Sequence, residues 1–156
     1  QPSEGTIWVE GKVRPLLTVG CGVEPSLSGM ENITRLGLLN GFSMDEIKNL
    51  KYEIIEFAEL GDFIDMPVRT YSSGMTMRLL FSILTSKSTD ILVMDEFFST
   101  GDEAFLIKSR KRIETLLEDS KILVFASNSR ELIKNYCNRF IIMEKGTATE
   151  ISGKDF

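Results

Sequence analysis

Ile91-Leu92-Val93-Met94-Asp95-Glu96 is the stretch from which the fold of this chain is read. Four apolar residues run without a break into two carboxylates, the pattern of a buried parallel strand that ends at the carboxyl edge of a sheet. A second such run occupies residues 121–126, and residues 103–118 between them have the apolar spacing of an amphipathic helix. Strand, helix and strand of these lengths predict a βαβ unit, which sends both strand C-termini to one edge, where ligands bind in such sheets. Asp95 and Glu96 would then stand at that edge. An aspartate there can hold Mg²⁺ directly or through water, and a glutamate can orient or deprotonate a water attacking a phosphate. The plainer alternative is an acidic loop after a buried strand.

Upstream, Tyr71-Ser72-Ser73-Gly74-Met75 leads into residues 75–84, where Met77, Leu80, Phe81 and Leu84 recur at helical spacing. Serines and a glycine at a helix start offer hydroxyls, free backbone N–H groups and the positive end of the helix dipole, all suited to a phosphate. The same residues also suit an ordinary serine N-cap. Ser43-Met44-Asp45-Glu46 has the spacing of a capping box, so a helix is predicted from there, with an apolar stripe from Ile47 to Leu60 and Gly61 as its stop. Another helix is expected over residues 30–39. Residues 19–28, rich in Gly, Pro and Ser, read as a loop exposing Glu24, and residues 5–17 as a hairpin broken at Pro15. Beyond the βαβ unit, a short helix is expected over 130–135 and strands over 139–143 and 147–151.

The expected fold is therefore α/β: a mostly parallel sheet, a helical subdomain, and a small antiparallel β element at the N-terminus. One domain is expected over 1–156, in three parts: 1–28 with the antiparallel element and loop, 29–70 helical, and 71–156 with the remaining strands. A composition of 42% hydrophobic and 26% charged residues fits a globular domain with a core. The net charge of −5 leaves no electrostatic footprint for nucleic acid, and the short cationic run from Lys108 to Arg112 reads as a solvated helix face. With no histidine in the chain, Ser-His-Asp and Cys-His chemistry and histidine metal sites are excluded within it. Cys21 and Cys137 lack the spacing of a zinc site or disulfide framework, and no apolar run reaches the ~20 residues of a membrane span.

Taken together, these motifs resemble the nucleotide-binding subunit of an ABC transporter. Tyr71-Ser72-Ser73-Gly74-Met75 is similar to the family's signature, residues 91–96 to its Walker B strand with a catalytic glutamate, and Ser99-Thr100-Gly101-Asp102 to its D-loop. Residues 20–33, 55–78 and 101–108 resemble the branch that exports O-antigen, capsule or teichoic acid polymers. This resemblance implies a P-loop NTPase-like fold with ATP and Mg²⁺ as ligands. It also implies that Ser72, Ser73, Gly74 and Met75 meet the nucleotide held by a second subunit, that Asp95 assists the metal, and that Glu96 activates water. Asp102 would bridge the two subunits. The implied partners are a second copy and transmembrane permease subunits, with the ATPase peripheral on the cytoplasmic face of the bacterial membrane.

Three departures from the family pattern stand out. No G-x-x-x-x-G-K-[ST] loop occurs in the 156 residues, so the Walker A part is expected upstream of Gln1 or not at all. Asn128 occupies the position of the switch histidine, where it can hydrogen-bond a phosphate but not exchange a proton near neutrality. The loop that usually carries a glutamine corresponds to residues 19–24, which contain none, leaving Glu24 to serve in part. The competing expectation is a non-hydrolysing interaction subunit that keeps the fold but lacks its own nucleotide site. Against it stand Asp95 and Glu96, which such a protein would not need.

Overall fold

The computed structural model describes residues 2–16, 22–95 and 103–153. Strands β1 (Val13–Leu16), β2 (Ile91–Met94) and β3 (Ile122–Phe125) form a parallel sheet in the order β1-β2-β3. In the central strand Leu92 and Met94 are buried, as expected of a strand with neighbours on both sides. Helix α4 (Glu103–Asp119) connects β2 to β3 and packs Phe105, Ile113 and Leu116 into the same cluster as Leu16, Leu92 and Met94. The predicted βαβ unit is present.

The N-terminal hairpin is not. Residues 2–12 form no strand, Ile7 and Trp8 are exposed, and β1 pairs in parallel with β2, Val13 opposite Ile91 and Leu16 opposite Met94. The antiparallel element lies instead near the other end, where β4 (Phe140–Glu144) and β5 (Thr147–Ile151) pair through a turn with Lys145 and Gly146 at positive φ. Short alternating runs carry no record of their partner, and here the pairing of β1 is set by contacts 78 residues away. Asp90 fixes that pairing at the strands' starting ends. Its carboxylate accepts from the Lys12 amide at 3.0 Å and from Lys121 Nζ at 2.8 Å, and both contacts hold it below the usual carboxylate range. Gly11 permits this approach, since a Cβ there would lie 3.0 Å from the Asp90 Cβ.

The helical part comprises α1 (Gly29–Leu39), α2 (Met44–Ala58) and α3 (Ser73–Leu84), joined by 3-10 turns at Gly61–Asp65 and Val68–Thr70. Capping boxes start the first two: Ser28 with Glu31, and Ser43 with Glu46. Their apolar faces meet α3 in a second cluster that includes Ile33, Leu36, Ile54, Leu79 and Ile83. Helix α3 serves both clusters, because its Phe81 packs toward the sheet.

Two polar centres hold this part to its surroundings. Asn32 is fully buried on α1; its side chain accepts from the Glu24 amide and donates to the carbonyls of Glu24, Leu27 and Ser28 at 2.9–3.2 Å. Asn32→Ala is expected to destabilise the protein by about 1–3 kcal/mol, because it strands buried backbone groups of that loop. Urea unfolding measures it, and a loss below about 0.5 kcal/mol would mean water replaces the amide. At the second centre, Glu46 pairs with Lys87, while Arg14 and Lys87 lie over the Phe42 ring at 4.5 and 5.7 Å. The Lys87 ammonium and the Ser43 amide lower the Glu46 carboxyl from 4.5 to about 2. A depressed folded-state value means that the stabilisation is full above about pH 4.5 and lost as pH falls through about 2. The difference in Tm between the protein and Glu46→Gln is therefore expected to shrink steadily on acidification across that window, and a constant difference would exclude the pair as its source.

Candidate functional site

The three parallel strands end level with one another, Leu16 beside Met94 and Met94 beside Phe125. The residues next in sequence after β2 and β3 therefore emerge at one edge. Asp95 leaves β2 there and is half-buried; Ala126, Ser127 and Asn128 leave β3, tied to β2 by the Ala126 amide donating to the Met94 carbonyl at 2.9 Å. Asn128 is exposed. Asp95 and Asn128 line one groove of about 1950 Å³, with Met77 of α3 and Arg130 at the start of α5 (Arg130–Tyr136). The groove runs on between β3 and β4, where Ile122, Val124, Ile141 and Met143 are 51–70% exposed, a degree unusual for apolar strand residues.

Ser72 is the N-cap of α3. Its Oγ accepts from the Met75 amide at 3.2 Å, and its carbonyl accepts from Thr76. Ser72 and Ser73 are exposed, Gly74 and Met75 half-buried, and the amides of Ser73 and Gly74 lie in the first turn, where helix geometry supplies no acceptor. Gly74 has no positive φ, and a Cβ on it would meet only Ser72 Oγ, at 3.8 Å. The fold does not require glycine here. None of these four residues lines the groove of Asp95 and Asn128. The structure thus brings Asp95 and Asn128 together and leaves Ser72, Ser73, Gly74 and Met75 on a separate surface. Glu96 and Asp102 lie outside the described residues, as does Cys21.

The donor set fits Mg²⁺ in one specific sense. Among the described residues no group of three carboxylates, cysteines or histidines could cage a metal. A single carboxylate at the sheet edge suits an ion that keeps several waters and takes its other oxygens from substrate phosphates.

Glu24 is half-buried rather than exposed, and its carboxylate accepts from Ser26 Oγ at 2.6 Å and from the Ser26 amide at 3.2 Å, which lower its pKa. It is turned back onto its own loop. Tyr71 and Asn32, neither of them among the expected nucleotide or metal contacts, support the region. Tyr71 donates from its hydroxyl to the Phe63 carbonyl at 2.6 Å, anchoring the start of α3, and burial raises its pKa. Gly29 leaves room for it, since a Cβ would lie 2.4 Å from that hydroxyl. The only sequence signals were an aromatic hydroxyl just ahead of the serines and, for Asn32, a polar residue beside the apolar positions of a helix.

Similarity of shape defines the class. The chain superposes on the ATP-binding subunit of an ABC transporter with a TM-score of 0.68 at 16% identity, over 92% of this chain and 60% of that one. It superposes on a dimeric ATP-binding cassette in a post-hydrolysis state with ADP and Pi with a TM-score of 0.62 at 18% identity, over 90% and 63%. The fold is that of an ABC ATPase domain. No protein-family model matches the chain. By sequence it is 51% identical over 150 residues to the O-antigen export system ATP-binding protein RfbE of Yersinia enterocolitica, covering 96% of this chain and 63% of that protein. It is 40% identical over 154 residues to the teichoic acids export ATP-binding protein TagH of Shouchella clausii, covering 99% and 42%. The chain is thus a homologue, over nearly its whole length, of the ATP-binding proteins of O-antigen and teichoic acid export systems, and it spans less than two thirds of theirs. No helix among the described residues is long and apolar enough to cross a membrane.

Proposed function

We propose that this chain is the signature and Walker B part of an ATP-hydrolysing ABC subunit that powers export of a polysaccharide or lipid-linked glycan from the cytoplasmic face of a bacterial membrane. The observation that carries this reading is the division of the site. Asp95 and Asn128 share the sheet's carboxyl edge, while the first turn of α3 presents Ser72, Ser73 and Gly74 on another surface. Such halves complete one another when two copies face, each signature closing on nucleotide held by the other.

In that arrangement the first-turn amides and hydroxyls of Ser72, Ser73 and Gly74 hold the γ-phosphate, and Met75 closes the turn behind them. Asp95 holds Mg²⁺ through water or directly, and the bound ion supplies charge neutralisation on the phosphates. Glu96 accepts the proton of the attacking water as its oxygen bonds to the γ-phosphorus and the bond to the β-phosphate oxygen breaks, leaving ADP and phosphate. Asn128 donates to the γ-phosphate from its amide. Asp102 joins the two subunits. The loop that cradles the phosphates belongs to a segment seated along the apolar groove between β3 and β4, and permease subunits dock on the assembled dimer.

The full-length protein, purified with its permease in vesicles, tests this reading. Mg²⁺-dependent ATP turnover that rises when lipid-linked glycan is supplied supports it. A dimer that binds no ATP analogue would instead favour the non-hydrolysing interaction subunit, the reading that Asn128 in place of histidine most favours.

A further inference from the structure

Helices α1 and α2 begin in the same way, and α3 does not. In the first two, the N-cap serine accepts from the amide three residues on, and the glutamate at that position accepts from the serine's own amide, at 2.8 Å in both. At α3 only the first half is made: Ser72 Oγ accepts from the Met75 amide at 3.2 Å, and the first turn contains no acidic residue. The apolar pair that often fixes the entry angle of a helix is missing too, because the residue four positions beyond the cap is Thr76. Residues 72–77 carry no charged side chain, so ion pairs on α3 start only at Arg78, which meets Glu59. Lys108 of α4 also reaches Glu59, and Arg112 reaches Glu53; of the run from Lys108 to Arg112 expected on a solvated face, only Arg110 and Lys111 are exposed.

What holds the turn comes from outside it. Tyr71, the residue just ahead of the cap, is extended at φ −77 and ψ 147, and its hydroxyl crosses to the Phe63 carbonyl at 2.6 Å. Gly29 of α1 has no positive φ, so its backbone does not call for glycine; the space filled by the Tyr71 hydroxyl and Ile64 does. The Phe63 carbonyl also accepts from the Met66 amide at 2.9 Å and would not be stranded without Tyr71. Beyond it, the Gly29 amide donates to the Met66 carbonyl at 3.3 Å, and the Val68 and Arg69 amides donate to the Leu27 and Pro25 carbonyls at 2.9 Å. All these partners belong to the helical part and the loop before it, so the bond places the first turn of α3 within that part alone. We propose that Tyr71 is a positioning residue that stands in for the capping-box carboxylate: its neutral hydroxyl holds the signature turn in place and keeps negative charge away from the amides of Ser73 and Gly74. This rests on the proposed ATPase function, in which those amides meet a γ-phosphate. A glutamate at position 75 would close the box, but its charge would repel that phosphate.

Tyr71→Phe in the full-length, permease-bound protein keeps the ring against the helical core and removes only the hydroxyl. Its Tm is expected to stay within about 3 °C of the parent protein's, while kcat falls about fivefold or more and KM changes less than about twofold. Amide hydrogen exchange, resolved to the residue, gives a readout without ATP. In Tyr71→Phe the Met75 and Thr76 amides, bonded to Ser72 Oγ and its carbonyl, are expected to exchange at least about threefold faster. The Glu31 and Glu46 amides, held by complete boxes, should not change. Thr70→Val, which removes a hydroxyl bond to the Pro67 carbonyl one residue earlier, is expected to change none of these. For the charge, turnover in Met75→Glu is expected to lie at least about tenfold below that in Met75→Gln, since both side chains can close the box and only one is an anion. Unchanged exchange at Met75 and Thr76 in Tyr71→Phe, an equal effect from Thr70→Val, or kcat lost only in step with Tm would overturn the anchor. Equal turnover in Met75→Glu and Met75→Gln would overturn the part played by charge. If the parent protein turns over no ATP but the two amides still loosen in Tyr71→Phe, the anchor stands and the proposed ATPase function fails.

Discussion

Glu96→Gln in the full-length dimer is expected to lower ATP turnover by about 10²- to 10⁴-fold, the range that a positioned general base contributes, with nucleotide binding retained. Asp95 leaves the sheet at the carboxyl edge of β2, and Glu96 is the next residue in sequence. Glutamine keeps the shape and the hydrogen-bonding oxygen but cannot take a proton. Nucleotide should therefore accumulate unhydrolysed, and the closed dimer should persist on a sizing column with ATP. Turnover at the parent rate would remove Glu96 from the reaction and leave water activation to another group.

Gly74 gives the second large effect, and here the structure sharpens what sequence could say. A Cβ at Gly74 meets nothing closer than Ser72 Oγ at 3.8 Å, and the backbone is helical. Gly74→Ala should thus leave stability unchanged or raise it by up to about 1 kcal/mol, since alanine limits the unfolded chain and favours the helix. Gly74→Trp projects a large side chain from a half-buried position in the first turn, into the space that the proposed phosphate of the facing subunit would occupy. Turnover is expected to fall about 10²-fold, the scale of displacing reacting groups by an ångström, while Tm stays near that of the parent protein. Thermal melts and steady-state ATPase rates on the same samples check both halves. Normal turnover in the tryptophan variant would show that nothing approaches Gly74 and that the signature assignment is wrong.

Elements whose burial is local and periodic were legible from the sequence. The run that became β2, the stripe of α4, and the hydroxyl-to-carboxylate spacing at Ser43 all state their own structure, because a buried strand must be apolar throughout and a helix start must satisfy its free amides; the run of β3 formed its strand too, although its residues are half-buried or exposed. Residues 5–17 misled for the opposite reason. Their alternation fits any sheet, and the partner of Val13–Leu16 lies beyond the whole helical part. The end of α2 misled as well: the glycine rule points to Gly61, but Arg78 and Lys108 hold the left-handed turn at Glu59. In the candidate site, residue types at Ser72, Ser73, Gly74, Asp95 and Asn128 were readable, whereas the inward turn of Glu24 onto Ser26 and the Tyr71 and Asn32 anchors were not.

By itself the sequence determined which chemistry is present: two consecutive carboxylates after an apolar strand, a serine-glycine helix start, and no histidine. Those are properties of residue type and near-neighbour spacing, carried by the chain whatever its path. Only the tertiary structure decided that Asp95 and Asn128 share one edge while the signature turn faces elsewhere, that Gly74 is free of any packing demand, and that Glu59 joins α2, α3 and α4. Each of these depends on contacts between residues 19 to 49 positions apart in the chain or on empty space around an atom, and neither distant contact nor emptiness is written in local sequence.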